Sequence, residues 1–262
     1  MASEPISFAQ RRTRWRTLSL ELRRAWERRA GLNWYDPPAF VPKPKLRLLL
    51  GEIAHVSEPI RRRMRAPLHI PKAERPRIVM LLPGFASNAE KMRVMAEALE
   101  RAGHKAKRWG LGWNLGPSEE NFAALAQRLV EIHARYGQPV YLVGWSLGGI
   151  FGRELAKLHP ECVAKVVTMG SPFSQSPYAN NVWRAYQMVT GHSVEAPPIT
   201  AVLHEKPPVE TVALWSPRDG VVAARSARGA PGERDRERAL RCTHMGFCDS
   251  PEAILAVLDE LS

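Results

Sequence analysis

The stretch that most constrains this chain is Gly144-Trp145-Ser146-Leu147-Gly148-Gly149. Before it runs Pro139-Val140-Tyr141-Leu142-Val143, β-branched, aromatic and apolar, which predicts a short buried strand. After it, residues 147–159 predict a helix that stops at Pro160. A G-x-S-x-G run between strand and helix is the pattern of a nucleophile elbow, a sharp turn that projects its serine. The reason is steric: the segments flanking Ser146 must come very close together, and Gly144 and Gly148 carry no Cβ to hold them apart. Such a turn leaves the serine hydroxyl at a helix start, where unpaired N–H groups and the helix dipole favour negative charge. The same composition also occurs in ordinary glycine-rich loops, so its meaning depends on what the rest of the chain supplies.

The surroundings supply a regular alternation. Strands are expected over residues 78–82, 105–109, 163–169, 209–215 and 238–242. Helices are expected from an Asn88 cap to Arg101 with Gly103 as the stop, from Ser118 to Tyr136 with Gly137 as the stop, and over 251–261. Strands alternating with helices imply an α/β fold with a mainly parallel sheet covered on both faces. The alternation breaks at residues 171–208. This insertion holds Phe173, Tyr178, Val182, Trp183, Tyr186, Met188 and Val189, too apolar for a solvated loop. Two readings stand level: a cap over the sheet's C-terminal edge that doubles as a hydrophobic substrate wall, and a plain packing excursion.

The first third differs in charge. Residues 1–80 carry 18 Lys+Arg against 7 Asp+Glu, whereas residues 81–262 carry 20 against 19. The chain's net charge of +12 therefore says little about Ser146. Trp15, Leu18, Leu22 and Trp26 recur at helical spacing among Arg16, Arg23, Arg24, Arg28 and Arg29, which predicts a basic amphipathic helix. It packs on its own domain with a solvated basic face, or it meets an anionic membrane surface or an acidic partner. No nucleic-acid module is visible, and no nucleic-acid partner is expected. Residues 36–45 form a proline-stiffened linker, and 46–56 read as an apolar helix. The expected organisation is a basic, partly helical extension over 1–75 and one α/β domain over 76–262.

Composition also excludes. Cys162, Cys242 and Cys248 make no disulfide framework, and a reducing, cytoplasmic compartment is the simpler reading. Cys242 and Cys248 flank His244 without metal-ligand spacing, so no metal site is expected. No apolar run approaches the ~18–20 residues needed to span a bilayer. Arg11-Arg12 is followed by a stretch too charged for an export signal.

A serine nucleophile needs a base within hydrogen-bond reach and an acid to orient that base. After an elbow of this kind, acid and then histidine follow in chain order. Of the histidines beyond Ser146, His159 sits at a helix end and His192 and His204 fall in the insertion. His244, just past the last expected strand, is where the sheet edge would place a base. The aspartates between Ser146 and His244 are Asp219 and Asp235. Asp235 lies in Glu233-Arg234-Asp235-Arg236-Glu237-Arg238, which reads as a solvated face. Asp219 follows a strand and is the better candidate. The oxyanion donors expected are the N–H of Leu147 and that of Phe85, with Gly84 permitting close approach.

These residues resemble the esterase/lipase branch of the α/β-hydrolase fold superfamily over about residues 77–262. The stretches Leu82-Pro83-Gly84-Phe85, Trp109 to Pro117, Gly144 to Gly149, Asp219-Gly220-Val221-Val222 and His244-Met245-Gly246 look like one bacterial group of esterase-like proteins. The resemblance implies Ser146, Asp219 and His244 as nucleophile, acid and base, and Phe85 and Leu147 as oxyanion donors. It departs in carrying Pro83-Gly84 where many lipases carry His-Gly. It implies a small-molecule or lipid-like ester substrate and no cofactor. Trp113, Trp145, Phe173 and Trp183 are the candidate pocket residues for an apolar acyl group. Acyl transfer or thioester cleavage by the same triad, and a non-catalytic surface-binding role, remain alternatives.

Overall fold

The computed structural model describes residues 23, 26–34, 41–199 and 201–262. Six strands, β1 (Ile78–Leu82), β2 (Lys105–Arg108), β3 (Val140–Trp145), β4 (Val163–Met169), β5 (Glu210–Trp215) and β6 (Arg236–Ala239), form one sheet in the order β2-β1-β3-β4-β5-β6. Every neighbouring pair runs parallel. Beside a helical stretch over residues 26–32, the helices among the described residues are α1 (Leu46–Ala54), α2 (Glu58–Met64), α3 (Arg93–Ala102), α4 (Glu119–Tyr136), α5 (Leu147–Leu158), α6 (Trp183–Thr190), α7 (Ala224–Arg228) and α8 (Pro251–Leu261).

The central strands are apolar on both faces because helices cover both. Val79, Leu81, Val143, Trp145, Val167 and Met169 pack with α3 and α8. The alternate residues Ile78, Met80, Leu82, Val140, Leu142 and Val166 pack with α4 and α5. Period-two alternation along each strand thus feeds two cores from one sheet. The helix ends follow local chemistry. Asn88, Ser118 and Ser250 accept the N–H of Glu90, Asn121 and Ala253 respectively. Gly103 and Gly137 close α3 and α4 in the left-handed region. The helix expected to run unbroken from Asn88 begins instead with a 3₁₀ turn over Ala89–Met92.

The last strand lies earlier than the expected 238–242. β6 is a sheet edge, and its charged residues are the strand itself: Arg236 pairs with Glu260 at 2.6 Å and Arg238 with Asp259 at 2.7 Å. Asp235 is exposed, as its charge run implies, yet it is also partnered. Its Oδ2 accepts from Thr211 N at 2.8 Å and pairs with Lys206 Nζ at 2.8 Å, pinning the start of β5 to β6.

Of the described residues in the first third, α1 and its following turn lie at the sheet's C-terminal edge, beside the loops of Gly220 and His244. α1 and α2 are joined by a 3₁₀ turn at His55–Ser57, and His55 Nε2 lies 3.0 Å from Asp249 Oδ1. The α1 backbone runs so close to Gly220 that a Cβ there would sit 2.5 Å from Leu48 C and O. Residues 26–32 are helical, and Gln187 Nε2 on α6 donates to Leu32 O at 3.0 Å. Of the expected basic amphipathic helix, Trp15, Leu18, Leu22, Arg16 and Arg24 lie outside the described residues. No described helix is long and apolar enough to cross a membrane, and Cys162, Cys242 and Cys248 are all buried and unpaired.

Candidate active site

β3 delivers the chain to Ser146, and α5 begins at the next residue. Ser146 is held at φ 54° and ψ −122°, a conformation that costs free energy and persists only where the surroundings enforce it. Its N–H donates to Met169 O at 2.8 Å, anchoring the turn to the end of β4. The glycines are demanded by the same geometry. A Cβ on Gly144 would collide with the backbone of Gly148 and Gly149, and one on Gly148 with the Leu82 carbonyl.

The turn after β1 lies beside this elbow. A Cβ on Gly84 would come within 2.9 Å of the Trp145 ring and 3.1 Å of Ser146 Cβ, so glycine lets the two turns touch. Asn114, 1% exposed, staples the β1 turn. Its Nδ2 donates to Pro83 O at 2.8 Å. Its backbone exchanges hydrogen bonds with Ala86 N and Ser87 O, both at 2.7 Å. Among the described residues the Phe85 and Leu147 N–H groups donate to no acceptor, and both residues line one cavity with Ser146.

Asp219 and His244 meet at the ends of β5 and β6. His244 Nδ1 lies 2.7 Å from Asp219 Oδ2, with both side chains almost fully buried. Asp219 Oδ1 accepts the N–H groups of Val221 and Val222, each at 2.8 Å, so every acid oxygen is committed. Gly170, at φ 58°, brings the end of β4 against this pair; a Cβ there would lie 3.0 Å from Asp219 Oδ2 and 3.1 Å from His244 Nδ1. Trp145, one residue before Ser146, packs its ring 5.4 Å from the His244 ring and donates Nε1–H to His244 O at 3.0 Å. His244 is thereby tied to the elbow strand. Among the described residues no hydrogen bond joins Ser146 Oγ to His244.

The cavity above Ser146 has a volume of about 130 Å³. It is lined by Phe85, Leu147 and Ile150 and, from the insertion, by Trp183 and Tyr186 of α6 and Val194, Ile199 and Leu203 of the return. Tyr186 packs its ring 5.2 Å from Phe85, and burial pushes its hydroxyl well above the usual tyrosine range. The lining side chains are apolar apart from Ser146, Asn180, Glu154 and Tyr186, and Glu154 is paired with Lys157 at 2.8 Å.

Of the four candidate pocket aromatics, Trp183 lines this cavity and the other three do not. Trp113 is 61% exposed on its loop. Trp145 is buried behind His244. Phe173 is buried under the guanidinium of Arg153, 4.2 Å from its ring centre. That arginine is itself buried, donating to the Glu205 and Glu233 carbonyls at 3.0 Å, and desolvation lowers its pKa to about 10. The roles of two further residues, Asn114 and Glu52, emerge only in three dimensions, while Tyr186 belongs to the insertion already read as a possible substrate wall. For Glu52 the one hint was a lone carboxylate between the apolar residues Leu48–Leu50 and Ile53-Ala54, which did not say what it would bind.

The parallel sheet, the elbow after its third strand and the loops gathered at its C-terminal edge define an α/β-hydrolase fold. A family model described as the alpha/beta hydrolase fold matches residues 77–187. A search of curated proteins found no match. Among solved structures, the mature lipase BlEst2 of Bacillus licheniformis is similar with a TM-score of 0.57 at 19% identity, over 75% of this chain and 96% of that one. Aspergillus fumigatus lipase B gives 0.54 at 17% identity, over 74% of this chain and 55% of its own. The lin2722 gene product of Listeria innocua gives 0.52 at 17% identity, over 72% and 94%. Likeness at these identities establishes the fold.

Proposed function

We propose that this protein is a serine hydrolase that cleaves carboxylic esters with an apolar acyl group. The observation that carries the reading is the buried Asp219–His244 pair, 2.7 Å apart and tied through Trp145 to a serine in a strained turn. A histidine oriented by a carboxylate has its Nδ1 proton fixed, which leaves Nε2 free to act as a base. The two N–H groups without acceptors, on Phe85 and Leu147, suit an oxyanion.

Ser146 Oγ attacks the ester carbonyl carbon while His244 Nε2 takes the hydroxyl proton. The carbonyl oxygen becomes an oxyanion held by the Phe85 and Leu147 N–H groups. As the intermediate collapses, His244 gives its proton to the leaving alkoxy oxygen, and an alcohol departs from acyl-Ser146. Water then attacks the acyl carbon, His244 takes one of its protons and returns it to Ser146 Oγ, and a carboxylic acid leaves. No step calls for a metal or an organic cofactor. The apolar wall of the cavity favours an alkyl or aryl acyl portion, because such a wall offers little to hydrogen-bond a polar one.

The test is hydrolysis of p-nitrophenyl esters of increasing acyl length. Activity toward one or more esters that Ser146→Ala abolishes supports the reading; none in a folded sample rejects it. Adding an alcohol or thiol acceptor and analysing products separates hydrolysis from acyl transfer, and a thioester substrate tests thioesterase action.

The basic helix around Trp15 to Trp26, for which an anionic membrane surface was one reading, lies mostly outside the described residues, and α1 and α2 offer a separate candidate surface. Leu46, Leu50, Ile53, Val56, Ile60 and Met64 line the outer side of α1, its following 3₁₀ turn and α2, each 64–83% exposed. Exposed Arg47, Arg61 and Arg63 accompany them. An apolar stripe with cationic flanks suits an anionic lipid surface, which would make the protein peripheral to a membrane, on the cytoplasmic side where buried free thiols persist. Sedimentation with phosphatidylglycerol vesicles tests it. Binding that Leu50→Glu/Ile53→Glu removes supports the reading. Failure to bind, or self-association through the same face, rejects it.

A further inference from the structure

Glu52 belongs to α1, far from Ser146 in sequence, and its carboxylate is buried. Its Oε1 accepts the backbone N–H of Gly220 at 2.9 Å and that of His244 at 2.6 Å. Its Oε2 accepts the N–H of Met245 at 2.9 Å. The three donors come from the two loops that carry Asp219 and His244. We infer that Glu52 is a positioning residue, which holds the acid loop and the base loop in register so that Asp219 and His244 stay bonded. The inference rests on the serine-hydrolase reading for its kinetic consequences.

The physical argument begins with the donors. A loop leaving a parallel strand carries N–H groups that no neighbouring strand accepts, and burying them unpaired costs free energy. An ionised carboxylate accepts them in charge-assisted bonds, roughly twice as strong as neutral ones. One oxygen taking both Gly220 and His244 N–H draws two backbones, 24 residues apart, to a single point. The Asp219–His244 contact is then fixed twice, once through the side chains and once through the backbones. Glu52 can hold this point because α1 is itself anchored. His55 pairs with Asp249 at 3.0 Å, and Gly220 accepts the close approach of the Leu48 backbone. Nothing in this arrangement brings Glu52 to the reacting atoms; it acts through the loops.

Replacement by glutamine separates a positioning role from simple docking of the extension. A glutamine has one acceptor oxygen and one NH2 group. With its oxygen toward Gly220 and His244 it presents donors to Met245 N–H; reversed, it presents donors to the other two. Either orientation loosens the histidine loop while keeping the side-chain shape. Glu58→Gln is the control: Glu58 is also a buried carboxylate of the extension, but its hydrogen-bond partner among the described residues is Arg65, at 2.6 Å, and not a donor of either loop.

The experiment uses the full chain, at a temperature where all variants are folded by circular dichroism. It measures kcat and KM on p-nitrophenyl butyrate, and the far-downfield proton resonance of the His244–Asp219 hydrogen bond, assigned by its loss in Asp219→Asn. Glu52→Gln is expected to lower kcat about 10- to 100-fold, as a small misplacement of a catalytic group does. KM should stay within about threefold, and the resonance should shift or broaden. Glu58→Gln should lose stability and keep kcat and the resonance. If the amide variant does not fold, Glu52→Asp, which keeps the charge but cannot reach all three donors, is read the same way. Wild-type kcat and resonance in the Glu52 variant overturn the inference, as does a kcat loss that merely tracks the stability loss of Glu58→Gln. If the wild type hydrolyses nothing, the functional reading fails, and the resonance alone still decides whether Glu52 positions the pair.

Discussion

Replacing Asp219 by asparagine is a sharp perturbation because the structure dictates which way the amide must point. Oδ1 of Asp219 accepts two backbone N–H groups, from Val221 and Val222, and Oδ2 faces a single imidazole nitrogen. An asparagine that keeps its oxygen on the two N–H groups sets its NH2 against His244 Nδ1. The reverse orientation sets NH2 against two buried donors and leaves both unpaired, at about 1–3 kcal/mol each. The first orientation therefore prevails, and it makes His244 Nδ1 an acceptor. The imidazole proton moves to Nε2, on the side where a base must be free. A wrong tautomer of this kind costs about 10⁴ in kcat, or about 5.4 kcal/mol of transition-state stabilisation. The fold loses one charge-assisted hydrogen bond, about 1.5–3 kcal/mol. The assay is kcat on p-nitrophenyl butyrate beside a thermal melt, with Asp235→Asn as the comparison. Asp235 holds Thr211 and Lys206 and should affect the melt but not kcat. A folded Asp219→Asn protein with kcat within about tenfold of wild type would refute the argument, since no tautomer penalty is that small.

Asn114→Ala strips the Pro83 carbonyl and the Gly116 N–H of their side-chain partner; it should loosen the turn that carries the Phe85 N–H and lower kcat about 10- to 100-fold with little change in KM. An unchanged kcat in a variant destabilised by that loss would separate Asn114 from the oxyanion turn. Leu203→Trp adds bulk to a cavity of about 130 Å³; the ratio of kcat/KM for octanoate over acetate esters should fall about tenfold or more, the scale on which a pocket reads methylenes. A constant ratio would place the acyl chain elsewhere.

Much of the fold was legible because its determinants are local. The strands over 78–82 and 163–169 are mainly apolar runs, and helix ends are marked by the capping side chains of Asn88 and Ser118 and by the backbone freedom of Gly103 and Gly137. β6 was misplaced because an edge strand carries charge, and a charged run reads as solvated surface. The helical character of α2 was hidden by its arginines. At the site, Ser146 announces itself through its glycines, and Asp219 and His244 through their places after strands. The pocket was less legible: tryptophan content reports size but not direction, so Trp145 and Phe173 proved to be packing residues. Glu52 could not be read at all as a partner of the site. Its donors lie 168 to 193 residues away, and only the tertiary fold brings them to it.

The central claim is that Ser146 is an activated nucleophile. Intact-mass and peptide analysis after treatment with a fluorophosphonate probe tests it most directly, because the probe reacts with such a serine whatever the natural ester. The account predicts one adduct per chain, on the peptide containing Ser146, absent from Ser146→Ala and from His244→Ala. A folded wild-type protein that takes up no adduct, or takes it up at another residue, would contradict it.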